Sequence, residues 1–345
     1  SWRNTPYSMS GNLNQTINLQ ATEKIKTTPT RENTKQTYIN RTLPSISIRR
    51  STKKLIPLTK GQSSSDAKWY NDIHYSVSSQ ILNKQDIYYL SESQADSLLW
   101  QEKNEMKNGI QNNISMNSSQ KVLSYFSVNQ NISISEDWIF EMDKPVYDEY
   151  GNIILEDNKV KTVTRSGFFP RHTGSMSMGI NTKLYGLFPI KFGALRAVRH
   201  VLTPSMNLSY RPDFSREIFG WDPGYVESYV DTNGREMKYD PFASTLIGTT
   251  PSGESKTMSI SLRNNFQAKT EKDDKENKID LFTMNLSMNH NFAADSLKWS
   301  TIRTSIRTKL RNLNLDFSMT HDPYKYDTFR NRRVDEWSDS FYFVP

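Results

Sequence analysis

The chain has 345 residues, a net charge of +7 and no cysteine, which excludes disulfides and thiolate metal sites. Only 35% of the residues are hydrophobic and the mean hydropathy is −0.72, yet aromatic residues make up 12%. No apolar run approaches the ~18 residues of a transmembrane helix. Low hydropathy with many aromatics is typical of a membrane β-barrel, in which only alternate residues face lipid.

Period-two alternation is the main signal along the chain, and it predicts strands. In 256–269 the even positions are apolar, with Asn264 as the one polar exception, and the odd positions are polar. We predict ten to twelve strands, many near the length that crosses a bilayer. In chain order the predicted strands are 7–19, 37–48, 73–81, 112–118, 122–134, 174–184, 205–211, 256–269, 282–292, 302–310 and 313–319.

The connections between these strands are predicted to alternate in length. Short turns are expected around Gln120 and at Arg311-Asn312, as in a barrel with short turns on one rim and long loops on the other. The predicted long loops are 50–68, 84–110, 137–172, 213–255 and 321–340.

One short helix is predicted inside a loop, within residues 92–107. Its basis is a near-helical spacing of residues. They are Ala95, Leu98, Leu99, Glu102 and Met106.

The fold class predicted from these patterns is all-β, an antiparallel up-and-down transmembrane β-barrel segment with long loops. A soluble β-sandwich or β-solenoid is the alternative, since a sandwich core also alternates. The polar residues of the predicted strands argue against a soluble fold. The face opposite the apolar one consists of Asn, Ser, Thr and Arg throughout, as expected for a water-filled lumen.

No residue is predicted to be catalytic, to bind a cofactor or to hold a metal. The histidines lack metal-ligand spacing, and neither a G-x-S-x-G elbow nor a Gly-rich phosphate loop occurs. The chain is therefore not expected to be an enzyme. A nucleic-acid partner is not expected either, because the basic residues are spread along the chain.

Two basic segments each precede a predicted strand and supply the candidate site residues. Ordinary interface residues near lipid headgroups are one interpretation of them. Contact with an anionic amphiphile, such as the phosphorylated head of lipopolysaccharide, is the other, because the Arg fork suits phosphate. The candidates are Arg165, Arg171, His172, Arg196, Arg199 and His200.

Two prolines bracket the strand predicted after the second basic segment. Pro204 and Pro212 leave only the seven residues 205–211 between them, which is short for a bilayer crossing. Leu202 lies at an even position, as the apolar residues up to Tyr210 do. We therefore expect strand pairing to extend backwards past a bulge and kink at Pro204. Arg199 and His200 are then expected near the membrane boundary.

The segments SGFFPRHTGSMSMGINTKLYGLF and ALRAVRHVLTPSMNLSYRPDF, within 165–214, resemble the LptD family of outer-membrane lipopolysaccharide-assembly proteins. The motif is a basic residue, then Thr-Pro, then an alternating strand closing in Tyr-x-Pro, after an earlier Leu-Tyr-Gly. Its residues are His200, Thr203, Pro204, Tyr210 and Pro212, with Leu184, Tyr185 and Gly186 before them.

This resemblance implies a large antiparallel barrel in the cell outer membrane that inserts lipopolysaccharide into the outer leaflet as part of a translocon. The implied partners are lipopolysaccharide, membrane lipid, a plug lipoprotein in the lumen and a periplasmic bridge. Residues 1–345 are expected to form one portion of such a barrel, cut from a longer protein and without its N-terminal periplasmic jelly-roll domain. A porin or ligand-uptake receptor barrel is the alternative function.

Overall fold

The computed structural model of the protein describes residues 7–17, 35–58, 63, 68–94, 97–156, 159–192, 195–272, 275–310 and 313–343. These residues are almost entirely β-structure, with two single-turn 3₁₀ helices at Trp69–Asp72 and Pro241–Ser244. The strands, in chain order, are β1 (Tyr7–Ile17), β2 (Lys35–Lys54), β3 (Ile73–Gln94), β4 (Ser97–Val122), β5 (Phe126–Pro145), β6 (Leu155–Glu156), β7 (Lys159–Val160), β8 (Thr162–Asn181), β9 (Leu184–Phe192), β10 (Leu195–Arg211), β11 (Glu227–Val230), β12 (Glu236–Tyr239), β13 (Ser255–Lys272), β14 (Lys275–Asn291), β15 (Ile302–Leu310), β16 (Leu313–Asp327) and β17 (Arg332–Phe343).

Thirteen of the strands form one antiparallel sheet with up-and-down order. Its order is β1-β2-β3-β4-β5-β8-β10-β13-β14-β15-β16-β17, and β9 also pairs with β10. Within the described residues no ladder joins β1 to β17, so these are the edge strands. The all-β, antiparallel class predicted from the alternation is confirmed, with thirteen strands in the main sheet where ten to twelve were expected.

Strands β8 and β9 are two parts of one long strand beside β10. Asn181 pairs with Ser205 and Leu184 pairs with Leu202, so the same register runs through both strands. Between them the backbone N–H of Thr182 donates to the carbonyl of Pro204 at 3.3 Å. The reciprocal bond is missing because proline has no N–H, which accounts for the local break in the ladder.

The bulge predicted at Pro204 is wrong, because Pro204 faces Leu262 of β13 in unbroken register. The only irregularity between β10 and β13 lies near the start of β10, between Leu195 and Ala197. The backward extension of the strand is confirmed, since β10 begins at Leu195, and Pro212 follows its last residue. One hydrogen bond is lost at Pro204 and the pairing continues.

The helix predicted within 92–107 is also wrong, because these residues lie in the β3–β4 hairpin. Glu92 faces Leu99 and Asp86 faces Glu105 in a continuous ladder, while residues 95–96 lie outside the described residues. The strands satisfy each other's backbone groups over 22 and 26 residues, and this pairing overrides a weak helical spacing.

Three of the predicted long loops are largely strand. Residues 84–110 belong to β3 and β4, residues 321–340 are mostly β16 and β17, and 137–172 contains only the connection 146–161 between strand ends. The long connection predicted at 213–255 is confirmed, as residues 212–254 join β10 to β13. The turn predicted at Arg311-Asn312 lies outside the described residues, between paired Leu310 and Leu313.

Because neighbouring strands are antiparallel, successive connections lie at opposite ends of the sheet. The end with connections 146–161, 212–254 and 292–301 is called the loop end. The end with the short connections 123–125 and 193–194 is called the turn end. The exceptions are 95–96 and 328–331, short connections at the loop end, and 55–72, a longer one at the turn end.

The sheet has two chemically different faces, since side chains alternate across each strand. Facing positions on the apolar face include Met206, Ile260 and Met288, and the next positions, Asn207, Ser259 and Asn289, lie on the polar face. No helix in the described part of the chain has the length and apolar character of a membrane span.

Replacing Pro204 with Ala is expected to create a protected amide, because its new N–H points at the Thr182 carbonyl. The change in stability should stay within about 1 kcal/mol, since the added hydrogen bond is offset by a freer unfolded chain. Amide hydrogen exchange measures the outcome. Pro189→Ala is the matched control, because its N–H points away from β10 and should exchange fast. Rapid exchange at residue 204 would contradict the register.

Candidate functional site

The apolar face carries aromatic side chains at two levels of strands β10, β13 and β14. His200, Phe266 and Phe282 stand directly opposite one another and form the turn-end row. Their rings stack at centroid distances of 4.3 and 4.5 Å. Tyr210 and Phe292, with Lys256 between them, form the loop-end row. The Lys256 ammonium lies 5.9 Å from the centre of the Phe292 ring.

The two rows are ten residues apart on each strand. At ~3.3 Å per residue this is about 33 Å along the strand, and a tilt of ~40° reduces it to about 25 Å. This matches the height of the apolar band of outer-membrane barrels, whose borders are aromatic girdles. The side chains between the rows are Leu202, Pro204, Met206, Leu208, Met258, Ile260, Leu262, Asn264, Met284, Leu286, Met288 and His290.

Asn264, the polar exception in the alternation, has a partner on the same face. Its Oδ1 lies 3.0 Å from Nε2 of His200, which stacks on Phe266. Asn264 is only 8% exposed, so an unpaired amide there would carry a desolvation cost. The two polar groups therefore satisfy each other next to the turn-end row.

Short polar side chains bond across the strands of the polar face. Ser119 donates to Asn129 at 2.7 Å, and Gln267 donates to Asp280 at 2.7 Å. Ser205 and Ser261 are 3.3 Å apart across β10 and β13. This face is wettable over its length and suits a polar solute or water rather than lipid.

A buried ion pair lies at the loop end of the polar face. Arg171 of β8 donates from Nε and Nη2 to Oδ2 of Asp137 on β5, at 3.1 and 2.9 Å. The two residues are 3% and 1% exposed. Oδ1 of Asp137 accepts from Gln111 and Ser135, so the carboxylate is fully bonded. Pairing with several further hydrogen bonds is the condition under which buried charges persist.

Arg171 also fixes the long connection to the sheet. We call residues 212–254 the cap segment. The remaining nitrogen of Arg171, Nη1, donates to the Gly248 carbonyl at 2.8 Å, and its guanidinium lies 4.9 Å from the Phe242 ring centre. Asp240 accepts from the Thr250 amide at 2.6 Å and from the Phe242 amide at 3.0 Å. These bonds shape the cap segment around the guanidinium.

A small hydrophobic core forms where the cap segment packs on the sheet. Three of its members belong to the cap segment and two to β5, and all are at most 7% exposed. They are Ile139, Met142, Phe214, Tyr225 and Phe242. Gly109 of β4 leaves room for Ile247, whose Cδ1 is 3.2 Å from where a Cβ would stand. The polar face is thus covered at this end.

Three tyrosines complete the attachment of the cap segment. Tyr225 accepts from the His172 amide at 2.7 Å, where β8 continues beyond β10, and Tyr239 donates to the Asp143 carbonyl at 3.0 Å. Tyr147 donates to Glu227. Burial raises the pKa of Tyr147 and of Tyr239 to about 12, with nearby carboxylates adding to the effect. Both phenols therefore stay protonated hydrogen-bond donors at neutral pH.

The two basic segments lie at opposite ends of the sheet. Along the strands, ten residues separate Arg171 from Asn181, which pairs with Ser205, and six separate Ser205 from Arg199. The separation is therefore about 50 Å at ~3.3 Å per residue. The loop-end group is Arg165, Arg171 and His172, and the turn-end group is Arg196, Arg199 and His200.

Neighbouring candidates point to opposite faces. Arg171 is buried beneath the cap segment, so it does not offer a surface contact to lipid, whereas His172 lies on the other face and bonds to Glu136. The Arg199 guanidinium lies 5.1 Å from the Tyr185 ring centre, opposite to the face that holds His200.

Arg165 and Arg196 lie apart from the other candidates. Arg165 is exposed and faces Met142, while Arg196 lies in the irregular start of β10. A role of the six candidate residues in binding an anionic lipid stays a prediction.

The partners that give Arg171 its role were not predicted from the sequence. Asp137 follows the predicted strand 122–134 and keeps the alternation of its polar positions. That position could have predicted a carboxylate on the polar face. Gly248 and Thr250 are 77 and 79 positions from Arg171, and no local pattern connects them.

Replacing Arg171 with Met is expected to release the cap segment and to cost about 3–5 kcal/mol, because Asp137 stays buried without its partner. Limited chymotrypsin digestion should then cut within 212–254. Arg216→Met is the control, since the Arg216 side chain is 73% exposed and its pair with Asp213 is worth at most ~1 kcal/mol. Adding Asp137→Leu to Arg171→Met should restore part of the resistance. An Arg171→Met variant as resistant as the parent would contradict this role.

Comparison with known proteins agrees with the alternation, the two faces and the aromatic rows. A family model described as LptD protein matches residues 1–324. No curated protein and no solved structure matches the chain. The match covers nearly the whole chain and confirms the resemblance seen in 165–214. The chain therefore belongs to the LptD protein family, whose members are outer-membrane proteins that act in lipopolysaccharide transport.

Proposed function

We propose that residues 1–345 form one portion of an outer-membrane β-barrel that inserts lipopolysaccharide into the outer leaflet as part of a translocon. The barrel acts as a passage and breaks no bond. The polar face lines a route for the charged saccharide, while the apolar face contacts the acyl chains of the membrane.

The observation that carries this proposal is the pair of aromatic rows about 25 Å apart on the apolar face. Lipid would occupy the band between them, and the polar face behind it would stay in water. Beside the loop-end row the apolar face also has a groove of about 710 Å³, lined in part by Ile132, Met176 and Leu208. Such a groove suits an acyl chain.

The orientation follows from the lengths of the connections. In outer-membrane barrels short turns face the periplasm and long loops face outwards. The loop end with its cap segment would therefore lie at the cell surface, and the turn end would meet the periplasmic bridge. A plug lipoprotein would occupy the polar side, below the cap segment. The exposed cations of the two basic segments would lie near phosphorylated headgroups.

Replacing Met206 with Arg is expected to block assembly into a bilayer, at a cost of about 2–4 kcal/mol, because it places a charge between the rows on the apolar face. Asn207→Arg is the matched control, since the neighbouring position lies on the polar face. Folding into lipid vesicles, followed by heat-modifiable gel migration, measures the difference. Equal folding of both variants would contradict the assignment of the faces.

Depletion of the protein tests the function itself. Lipopolysaccharide at the cell surface is expected to fall and its precursors to accumulate, because the route through the outer membrane is lost. Re-expression of the parent chain in its full-length gene is the control for secondary effects. Surface lipopolysaccharide that stays constant on depletion, with a loss of nutrient uptake, would support a porin or uptake receptor and overturn the proposal.

A further inference from the structure

Strand β9 has only one partner in the described part of the sheet. One of its edges pairs with β10, from Leu184 to Phe192. On the other side, β8 pairs with β5, but this ladder ends at Asn181 and Ser127. β9 continues for nine residues beyond that point, and none of the described strands pairs with its second edge, which we call the open edge. The slot beside it begins at the 123–125 turn, where Thr182 donates to the Tyr125 carbonyl at 2.8 Å.

The register decides which backbone groups point into the open slot. Thr182 bonds to Pro204, so from Leu184 to Pro189 the even residues of β9 face β10 and the odd residues face outwards, whereas the register with β10 shifts after Pro189. The outward N–H groups of this regular part belong to Tyr185 and Leu187. Pro189 is the third odd residue, and its missing N–H falls on the open edge, where proline is tolerated.

Large apolar side chains surround this open edge. Leu187 is 64% exposed and Phe192 is 81% exposed, and Tyr125 of the adjacent turn is 78% exposed. Tyr185 and Phe188 are also exposed, on opposite faces of β9. Exposed apolar side chains grouped along a strand are typical of an interaction site, and an open strand edge is a template for another strand.

The charge around the edge indicates the chemistry of its partner. No Asp or Glu occurs between Asp157 and Asp213, whereas Lys183, Lys191 and Arg199 lie on β9 and β10 or just before β9. A partner strand with acidic side chains would gain attraction here, and a basic one would be repelled.

We propose that the open edge of β9 binds an extended segment of a partner protein by strand addition, with alternating apolar and acidic residues in that segment. Its backbone bonds to Tyr185 and Leu187, while its apolar side chains cover the exposed residues of β9. The inference concerns the turn end, whichever side of the membrane that end occupies.

The first test is the hydrogen-exchange pattern of the full chain in detergent micelles. In the free protein the amides of Tyr185 and Leu187 should exchange fast, and those of Gly186 and Phe188 slowly. A nine-residue peptide of alternating valine and glutamate should slow the odd amides alone. Slow exchange of the odd amides in the free protein would overturn the proposal, because the edge would already be paired.

The second test uses variants of Leu187 and the binding of the same peptide, labelled for fluorescence anisotropy. Leu187→Pro removes an outward N–H but leaves the β9–β10 ladder intact, so the Kd should rise about fivefold to tenfold. Leu187→Ala loses apolar contact but keeps the N–H, so its Kd should rise by less than that of Leu187→Pro. Slow exchange at Gly186 and Phe188 shows that the variant is folded.

Specificity is tested with two further probes. A peptide of alternating valine and lysine should bind at least about tenfold more weakly, because it meets the cations of β9 and β10. Phosphatidylglycerol vesicles should not protect the odd amides. Equal binding of the lysine peptide, an unchanged Kd with Leu187→Pro, or protection by the vesicles in place of the peptide would each overturn the proposal.

Discussion

Backbone hydrogen bonding between neighbouring strands is the constraint on which the rest of this structure depends. Thirteen strands share one sheet, and their pairing fixes which residues stand level with each other. Because successive side chains point to opposite faces of the sheet, the same pairing places the polar residues on one face and the apolar residues on the other. In lipid the ladder is also obligatory, since an unpaired N–H or carbonyl there has no water to bond. At Pro204 one hydrogen bond of the ladder is missing, and the register of the neighbouring strands continues unchanged.

The cap segment is held by a second kind of interaction, which the sheet alone does not provide. Arg171 connects β5, β8 and the cap segment through Asp137 and Gly248. Its charge is stabilised only while all these groups are together, so attachment is cooperative. The small core of Phe214, Tyr225 and Phe242 keeps water from the pair. Strand pairing thus forms the sheet, and the buried Arg171–Asp137 ion pair attaches the cap segment at its loop end.

The alternation predicted the strands and their two faces because it is a local property of each segment. It failed at 92–107, where a weak helical spacing concealed the β3–β4 hairpin, since the partner strand was not visible in the local pattern. At Pro204 the chemistry was recognised, but the sequence could not say that the missing N–H would face Thr182. The role of Arg171 depended on groups nearly eighty positions away, and these meet only after the cap segment has folded. The open edge of β9 likewise depends on where β5 begins.

The ends of the cap segment lie side by side, because Arg211 pairs with Ser255. Residues 212–254 therefore leave the sheet and return to it at adjacent positions, whatever their own length. Insertions, deletions or replacement of this region by another sequence would leave the register of β10 and β13 unchanged. The part of the protein that covers the loop end can thus diverge rapidly under selection while the membrane-crossing strands stay as they are.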